Sequence, residues 1–180
     1  MSLFTGSCVA MVTPFTESNQ VNFDALDKAI DFQIDQGTDA LLACGTTGEP
    51  STMTSQEKRD VIRFTVEKAK DRLPVIAGVG GNNTAEVVRA SIEAEKLGAN
   101  GLLAVNPYYN KTNARGLIAH YREISDAVSI PIIVYNVPSR TNYNITPEAL
   151  LELSKLKNIK AVKEASGNIA QVLEIYRLCG

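Results

Sequence analysis

Lys163 is the residue of this sequence whose position best suits it for covalent chemistry. It follows Ile159, Ala161 and Val162, an apolar run that predicts a buried strand. Lysine is rarely buried without a role, and removal from water lowers the pKa of an amine, which then attacks a carbonyl carbon more readily. The alternative is a lysine that emerges at the strand end and pairs with a neighbouring acid. Spacing alone leaves both hypotheses open.

Hydroxyl groups stand in comparable positions on two other apolar runs. Tyr135 lies near the end of a run over 132–137, where a phenol either relays a proton or simply packs. Thr46 and Thr47 follow a run over 40–44, inside the sequence Gly45-Thr46-Thr47-Gly48-Glu49. Their hydroxyl and backbone N–H groups suit a carboxylate, although a glycine-rich turn without a ligand explains the same sequence.

Two further sets of residues have both a functional and a structural interpretation. The planar guanidinium of Arg140 matches a substrate carboxylate, and a surface salt bridge is its alternative. The pair Tyr108-Tyr109 predicts either a hydrophobic plug or a contact at an interface.

The elements that must hold these residues follow a repeating pattern. Continuous apolar runs predict strands of a parallel sheet, and apolar residues at spacings of three and four between them predict amphipathic helices. Six βα units in succession favour either a doubly wound sheet or a (β/α)₈ barrel, in which the strand ends carry the active site. The predicted strands cover residues 8–12, 40–44, 75–77, 102–105, 132–137 and 159–162.

Residues that commonly begin or end helices support these boundaries. Thr54 with Glu57 predicts a capping box, and Thr146 before Pro147 predicts a helix start. Gly37 and Gly98 stand where glycine commonly ends a helix. The glycine cluster at residues 78–81 does not match the GxGxxG frame, so the sequence disfavours dinucleotide binding.

Composition excludes several classes of function. The net charge of −2 argues against a nucleic-acid-binding protein. Residues 1–6 lack the pattern of a signal peptide and no apolar run is long enough for a membrane span, so we expect a cytoplasmic protein. The three cysteines match no zinc or disulfide pattern, and we expect Cys8 and Cys44 to be buried free thiols. We therefore predict no metal site, and His120 in a helical pattern is not expected to be catalytic.

Four motifs together resemble the dihydrodipicolinate synthase family of pyruvate-dependent Schiff-base lyases. The resemblance extends over essentially all 180 residues, in the family's order and spacing. It implies a TIM (β/α)₈-type barrel and the assembly of such chains into a homo-oligomer. The motifs are Gly45-Thr46-Thr47-Gly48-Glu49, Pro107-Tyr108-Tyr109-Asn110, Tyr135-Asn136-Val137-Pro138-Ser139-Arg140-Thr141 and Val162-Lys163-Glu164-Ala165-Ser166-Gly167-Asn168.

The resemblance also implies an activity, the condensation of pyruvate with L-aspartate 4-semialdehyde to 4-hydroxy-tetrahydrodipicolinate in lysine and diaminopimelate biosynthesis. Lys163 matches the lysine that forms an imine with pyruvate. A proton relay is implied for Tyr135, Thr46 and Tyr109, the last of which reaches a partner subunit's site in the family. No metal or organic cofactor is implied.

Substrate contacts and regulation are implied in the same way. Thr47 matches a contact to the pyruvate carboxylate, and Arg140 matches a residue that binds the carboxylate of the aldehyde substrate. Lys58 stands where lysine-inhibited members carry a histidine, and a fixed positive charge there repels an incoming ammonium group. We therefore expect weak or absent inhibition by lysine.

Two alternatives remain beside this interpretation. N-acetylneuraminate lyase and the keto-deoxy sugar acid aldolases share the lysine, the tyrosine and a similar glycine-rich turn. The second alternative follows from length, because residues 1–180 supply about six βα units and predict one truncated barrel domain. Such a chain could be a structural fragment without turnover.

Overall fold

The computed structural model describes residues 4–180, so residues 1–3, part of the segment from which we predicted no signal peptide, lie outside it. The described residues form two compact units, one of residues up to Gly78 with Glu93–Leu102, the other of Val79–Ile92 with Leu103–Gly180. The single incomplete domain over 1–180 stays a prediction.

Strands and helices alternate along the chain, as the apolar runs predicted. Single turns of 3₁₀ helix occur at Thr46–Gly48 and Pro50–Thr52. The elements are β1 (Cys8–Ala10), α1 (Phe23–Asp35), β2 (Ala40–Ala43), α2 (Ser55–Ala69), β3 (Val75–Gly78), α3 (Thr84–Lys96), β4 (Gly101–Val105), α4 (Ala114–Ala127), β5 (Ile132–Asn136), α5 (Pro138–Thr141), α6 (Pro147–Ser154), β6 (Ile159–Glu164) and α7 (Ile169–Cys179).

In the first unit, β1, β2 and β3 pair side by side in parallel. Leu41 of β2 lies between Val9 and Val75 in the register. All four residues of β2 are buried, which confirms the expectation of a strand covered on both faces. Strand β1 is less buried, and Cys8 at its start is exposed. The expected burial of Cys8 is therefore wrong, because within the described residues β1 has only β2 as a strand neighbour.

In the second unit, the end of β4 from Leu103 onwards, β5 and β6 follow the chain order. The amide of Asn106, just beyond β4, donates to Tyr135 O at 3.3 Å, and β5 pairs in parallel with β6. Only Ile159 of β6 is buried, although the apolar run predicted burial along the strand. The reason is again position, since the described chain provides β6 with one strand neighbour, β5.

The predicted helix boundaries are confirmed. The hydroxyl of Thr54 accepts from the amide of Glu57, and the Glu57 carboxylate accepts from the amide of Thr54, which completes a capping box on α2. Thr146 caps α6 with Pro147 at its first position. Gly37 and Gly98, with φ of 78° and 94°, follow α1 and α3 in the left-handed region that glycine tolerates.

Close backbone approach explains the glycine cluster. A Cβ on Gly78 would lie 2.2 Å from the carbonyl oxygen of Cys44, and a Cβ on Gly80 would lie 2.2 Å from the amide nitrogen of Val105. Cys44 itself has φ of 56°, and its buried thiol has a pKa raised to about 12 by burial. These glycines are therefore required by packing.

Candidate active site

Lys163 and Tyr135 lie opposite each other on the parallel pair β5–β6. Their Cα atoms are register partners, so the two side chains leave the sheet on the same face. The Nζ atom of Lys163 lies 4.4 Å from the centroid of the Tyr135 ring, within the range of a cation–π contact. The phenol is buried with 8% of its surface exposed. The structure thus brings an amine and a phenol into contact.

The environment of Lys163 decides between the two positions that the sequence left open. The residue is exposed, so the desolvation that the apolar run suggested is not found in the described chain. The cause is the low burial of β6 itself, which has one strand neighbour. The strand pairing and the Tyr135 ring, and not burial, hold the amine in place.

Thr46 and Thr47 belong to the first unit, in the 3₁₀ turn that follows β2. Both residues are exposed, while the adjacent Gly48 is buried. The hydroxyl of Thr13 donates to Gly48 O at 2.7 Å and fixes the turn. The turn predicted for this sequence is confirmed, and its two threonines are open to solvent and to a ligand.

Tyr109 and Arg140 belong to the second unit. Tyr109 has φ of 63° and is 89% exposed in the loop after β4. The side-chain amide of Asn110 donates to Asn82 O at 3.1 Å, which holds that loop. Arg140 is exposed on α5 and makes no ion pair with the described residues. The surface salt bridge considered for Arg140 is thus not formed there.

A polar network beside the lysine was not predicted from the sequence. Glu164, next to Lys163, accepts from Asn136 Nδ2 at 3.1 and 2.8 Å, from the Ser166 amide at 2.7 Å and from Gln171 Nε2 at 3.0 Å. Burial raises the pKa of the Glu164 carboxyl, but the hydrogen bonds from Asn136, Ser166 and Gln171 outweigh it, so the net pKa is lowered. The sequence feature that could have predicted this network is a polar residue at the end of each of two apolar strands, Asn136 on β5 and Glu164 on β6.

His120 and the cysteines do not form a metal site. His120 is buried on α4, and its Nδ1 shares a 2.9 Å hydrogen bond with the hydroxyl of Thr84. Burial lowers its pKa to about 4. Within residues 4–180, no group of three His, Cys, Asp or Glu side chains has the arrangement of a metal-binding cluster.

Among the described helices, none combines the length and apolar character needed to cross a bilayer.

The model of the dihydrodipicolinate synthetase family matches residues 3–180. The chain belongs to this family. It is 59% identical over 179 residues to the 4-hydroxy-tetrahydrodipicolinate synthase of Caldicellulosiruptor bescii, and 54% identical over 179 residues to synthase 1 of Clostridium acetobutylicum. Each alignment covers 99% of this chain and 61% of the relative, so the chain spans about three fifths of the relatives' length.

Solved structures of the dihydrodipicolinate synthetase family share the fold. The crystal structure of the Aquifex aeolicus synthase superposes with a TM-score of 0.96 at 47% identity, over 98% of this chain and 60% of that one. The Cyanidioschyzon merolae synthase with lysine bound gives a TM-score of 0.96 at 36% identity, over 100% of this chain and 62% of that one. The predicted (β/α)₈-type fold class is confirmed, with six βα units in this sequence.

Proposed function

We propose that this protein condenses pyruvate with L-aspartate 4-semialdehyde through an imine on Lys163. The observation that carries the proposal is the 4.4 Å contact between Lys163 Nζ and the Tyr135 ring, in a chain of this family. An amine beside a buried phenol supplies the nucleophile and the proton carrier that imine chemistry requires. Relatives at 59% and 54% identity bear the name of this synthase, which favours it over a sugar-acid aldolase.

The chemistry assigns a step to each group. The neutral amine of Lys163 adds to the ketone carbon of pyruvate, water leaves, and an imine forms. The protonated imine accepts the electron pair released when the pyruvate methyl group loses a proton. The resulting enamine carbon attacks the aldehyde carbon of the second substrate. The amino group of that substrate then closes the ring at the imine carbon and releases Lys163.

The remaining residues have binding and relay roles in this proposal. Thr46 and Tyr109 extend the proton relay of Tyr135. Thr47 binds the pyruvate carboxylate, and Arg140, which has no ion pair with the described residues, binds the carboxylate of the aldehyde substrate. The proposal further places the protein in lysine and diaminopimelate biosynthesis in the cytoplasm, as a homo-oligomer without a metal or organic cofactor. Lys58 makes inhibition by lysine weak or absent.

Borohydride trapping tests the covalent step directly. The purified protein is incubated with pyruvate and reduced, and intact mass with peptide mapping then locates the adduct. We expect one reduced pyruvate adduct on Lys163, lost in Lys163→Ala. The matched control is Lys160→Ala, which removes an exposed lysine from the same strand and should leave the adduct unchanged. A folded protein without an adduct contradicts the proposal.

A coupled assay then decides the second substrate. Aspartate semialdehyde should be consumed together with pyruvate, whereas a sugar-acid aldolase should instead release pyruvate from keto-deoxy sugar acids or N-acetylneuraminate. An adduct on Lys163 without turnover of any of these substrates would support the inactive structural fragment.

A further inference from the structure

We propose that Glu164 is a positioning residue for Lys163. It acts through a network of neutral hydrogen-bond donors on the face of β6 that lies opposite to the Lys163 side chain. This inference rests on the proposed function, because it concerns the same reactive lysine. The network joins β5, β6, α7 and the segment before α6. Its members are Asn136, Asn144, Ile145, Glu164, Ser166 and Gln171.

Two successive register pairs of β5 and β6 define the geometry. Tyr135 opposes Lys163, and the next pair, Asn136 and Glu164, follows at once. Successive side chains of a strand point to opposite faces, so the reactive pair lies on one face and the Asn136–Glu164 pair on the other. Any displacement of Glu164 is therefore transmitted through one peptide unit to the Cα atom of Lys163.

Glu164 contacts β5 and α7 directly, and it reaches the segment before α6 through Asn136 and Gln171. Asn136, fully buried, donates to both carboxylate oxygens, and Gln171 at the start of α7 donates to Oε2 at 3.0 Å. The side-chain oxygen of Asn144 accepts hydrogen bonds from Asn136 Nδ2 at 2.9 Å and from Gln171 Nε2 at 3.2 Å. The amide of Ile145 donates to Asn136 Oδ1 at 3.0 Å. The end of β6 is thus tied to β5, to α7 and to the segment before α6.

The position of this network in the sheet gives it importance. In the described chain β6 pairs with β5, and the ladder bonds of that pairing hold the backbone of β6 without reaching its side chains. The amide of Ala165 continues the pairing with a 2.9 Å bond to Asn136 O. The Glu164 network supplies the remaining restraint, and reacting atoms must be held to within a fraction of an ångström for efficient reaction.

The site requires a carboxylate and not an amide. The hydrogen bonds that Glu164 accepts come from N–H groups of Asn136, Ser166 and Gln171, and the Ser166 hydroxyl also lowers the pKa of its carboxyl. A glutamine side chain has a similar shape, but its NH₂ group would face one of these donors and lose a hydrogen bond. Glu164→Gln is therefore a sharp perturbation that changes little volume.

The test measures the rate constant and the final amount of pyruvate trapped on Lys163. We expect Glu164→Gln to lower the rate constant at saturating pyruvate by about tenfold, because the amine is less well oriented. The pyruvate concentration at half-saturation should change by less than about threefold, since the variant leaves Thr47, the proposed carboxylate contact, in place. Glu164→Asp, which keeps the charge, should recover part of the rate.

A control and a second variant separate positioning from folding. Glu174→Gln makes the same chemical change on α7, where Glu174 pairs with Arg177, and should leave the rate constant unchanged. If Glu164→Gln fails to fold, Gln171→Met serves as the test in its place. It removes one donor from the network and should slow trapping by about threefold. A purely structural role would lower the amount of protein that can be trapped, and the rate constant of the folded fraction would stay the same.

The outcomes distinguish this inference from the proposed function. Parent protein that forms no adduct contradicts both. Parent protein that reacts, with rate constants for Glu164→Gln and Gln171→Met within twofold of the parent value, contradicts the positioning role alone. A slower rate constant in these variants, with the control unchanged, supports it.

Discussion

His120 combines burial with an incomplete set of hydrogen bonds. Its ring meets the Tyr121 ring edge-on at a centroid distance of 5.3 Å, and Nε2 has no hydrogen-bond partner among the described residues. Protonation would place a charge in this apolar contact, which explains why burial lowers its pKa. A histidine of this kind is a structural residue whose protonation opposes folding.

His120 gives a prediction for stability against pH. Its folded pKa of about 4 lies below the ordinary value of 6.5, so the unfolded chain binds more protons between these values. Stability from this residue is therefore present above pH 6.5 and is lost as the pH falls towards 4. From pH 8 to pH 5 we expect a loss of about 2 kcal/mol in the free energy of unfolding.

Urea unfolding of the parent protein and of His120→Gln at both pH values measures this loss. The carboxyls of Glu57 and Glu164 have lowered pKa values and stay ionised at pH 5, so they add little there. The variant should lose less stability than the parent by about 2 kcal/mol. Equal losses in the two proteins would show that His120 is protonated as readily in the folded state as in the unfolded one.

At the scale of elements, close approach between neighbouring segments makes single glycines indispensable. Gly80 and Gly81 are adjacent, but a Cβ on Gly80 would meet the backbone of Val105 at 2.2 Å, whereas one on Gly81 would meet only the side chain of Val87 at 3.3 Å. A backbone atom in a packed sheet cannot withdraw as a side chain can. The two glycines therefore differ in what they tolerate.

We expect Gly80→Ala to lower the free energy of unfolding by about 3 kcal/mol and Gly81→Ala by less than about 1 kcal/mol. Chemical denaturation of the two variants side by side measures the difference, with each serving as the other's control. Similar losses in both would mean that the chain near β4 adjusts to an added methyl group.

The elements also show what the sequence could predict. Strands β2, β3 and β4 were located because their apolar runs are continuous and they are buried in the sheet. The exposure of Cys8 was not predicted, because the burial of a strand depends on how many neighbours it has. For Lys163 the apolar run left both a buried and an emerging side chain open, and the structure shows the exposed one. The role of Glu164 was also missed, since two of its four hydrogen bonds depend on a register with Asn136 that neither strand encodes alone, and another comes from Gln171 on α7.

At the scale of the whole molecule, α7 carries an apolar face on its outer side. Ile169, Leu173 and Tyr176 are 72%, 64% and 75% exposed, while Gln171 and Ile175 on the same helix are buried. These three residues recur at helical spacing and so share one stripe. Exposed apolar stripes of this kind mark association surfaces.

We expect a chain of residues 1–180, taken by itself, to self-associate through α7. Sedimentation velocity should show a mean sedimentation coefficient that rises with protein concentration. Leu173→Glu should weaken the association by at least about tenfold, because a charge would enter the apolar contact. Glu174→Gln, on the same helix, is the control and should associate as the parent does. Identical association of the parent and Leu173→Glu would exclude this face as the contact.

The three thiols differ in accessibility, so the alkylation of Cys44 reports how often the structure around the end of β2 opens. Cys8 and Cys179 are exposed and should be alkylated at once, whereas Cys44 is buried with its pKa raised to about 12. Modification of Cys44 therefore has to wait until the end of β2 separates from its surroundings. The delay between the second and third mass increments during alkylation records how often that separation occurs.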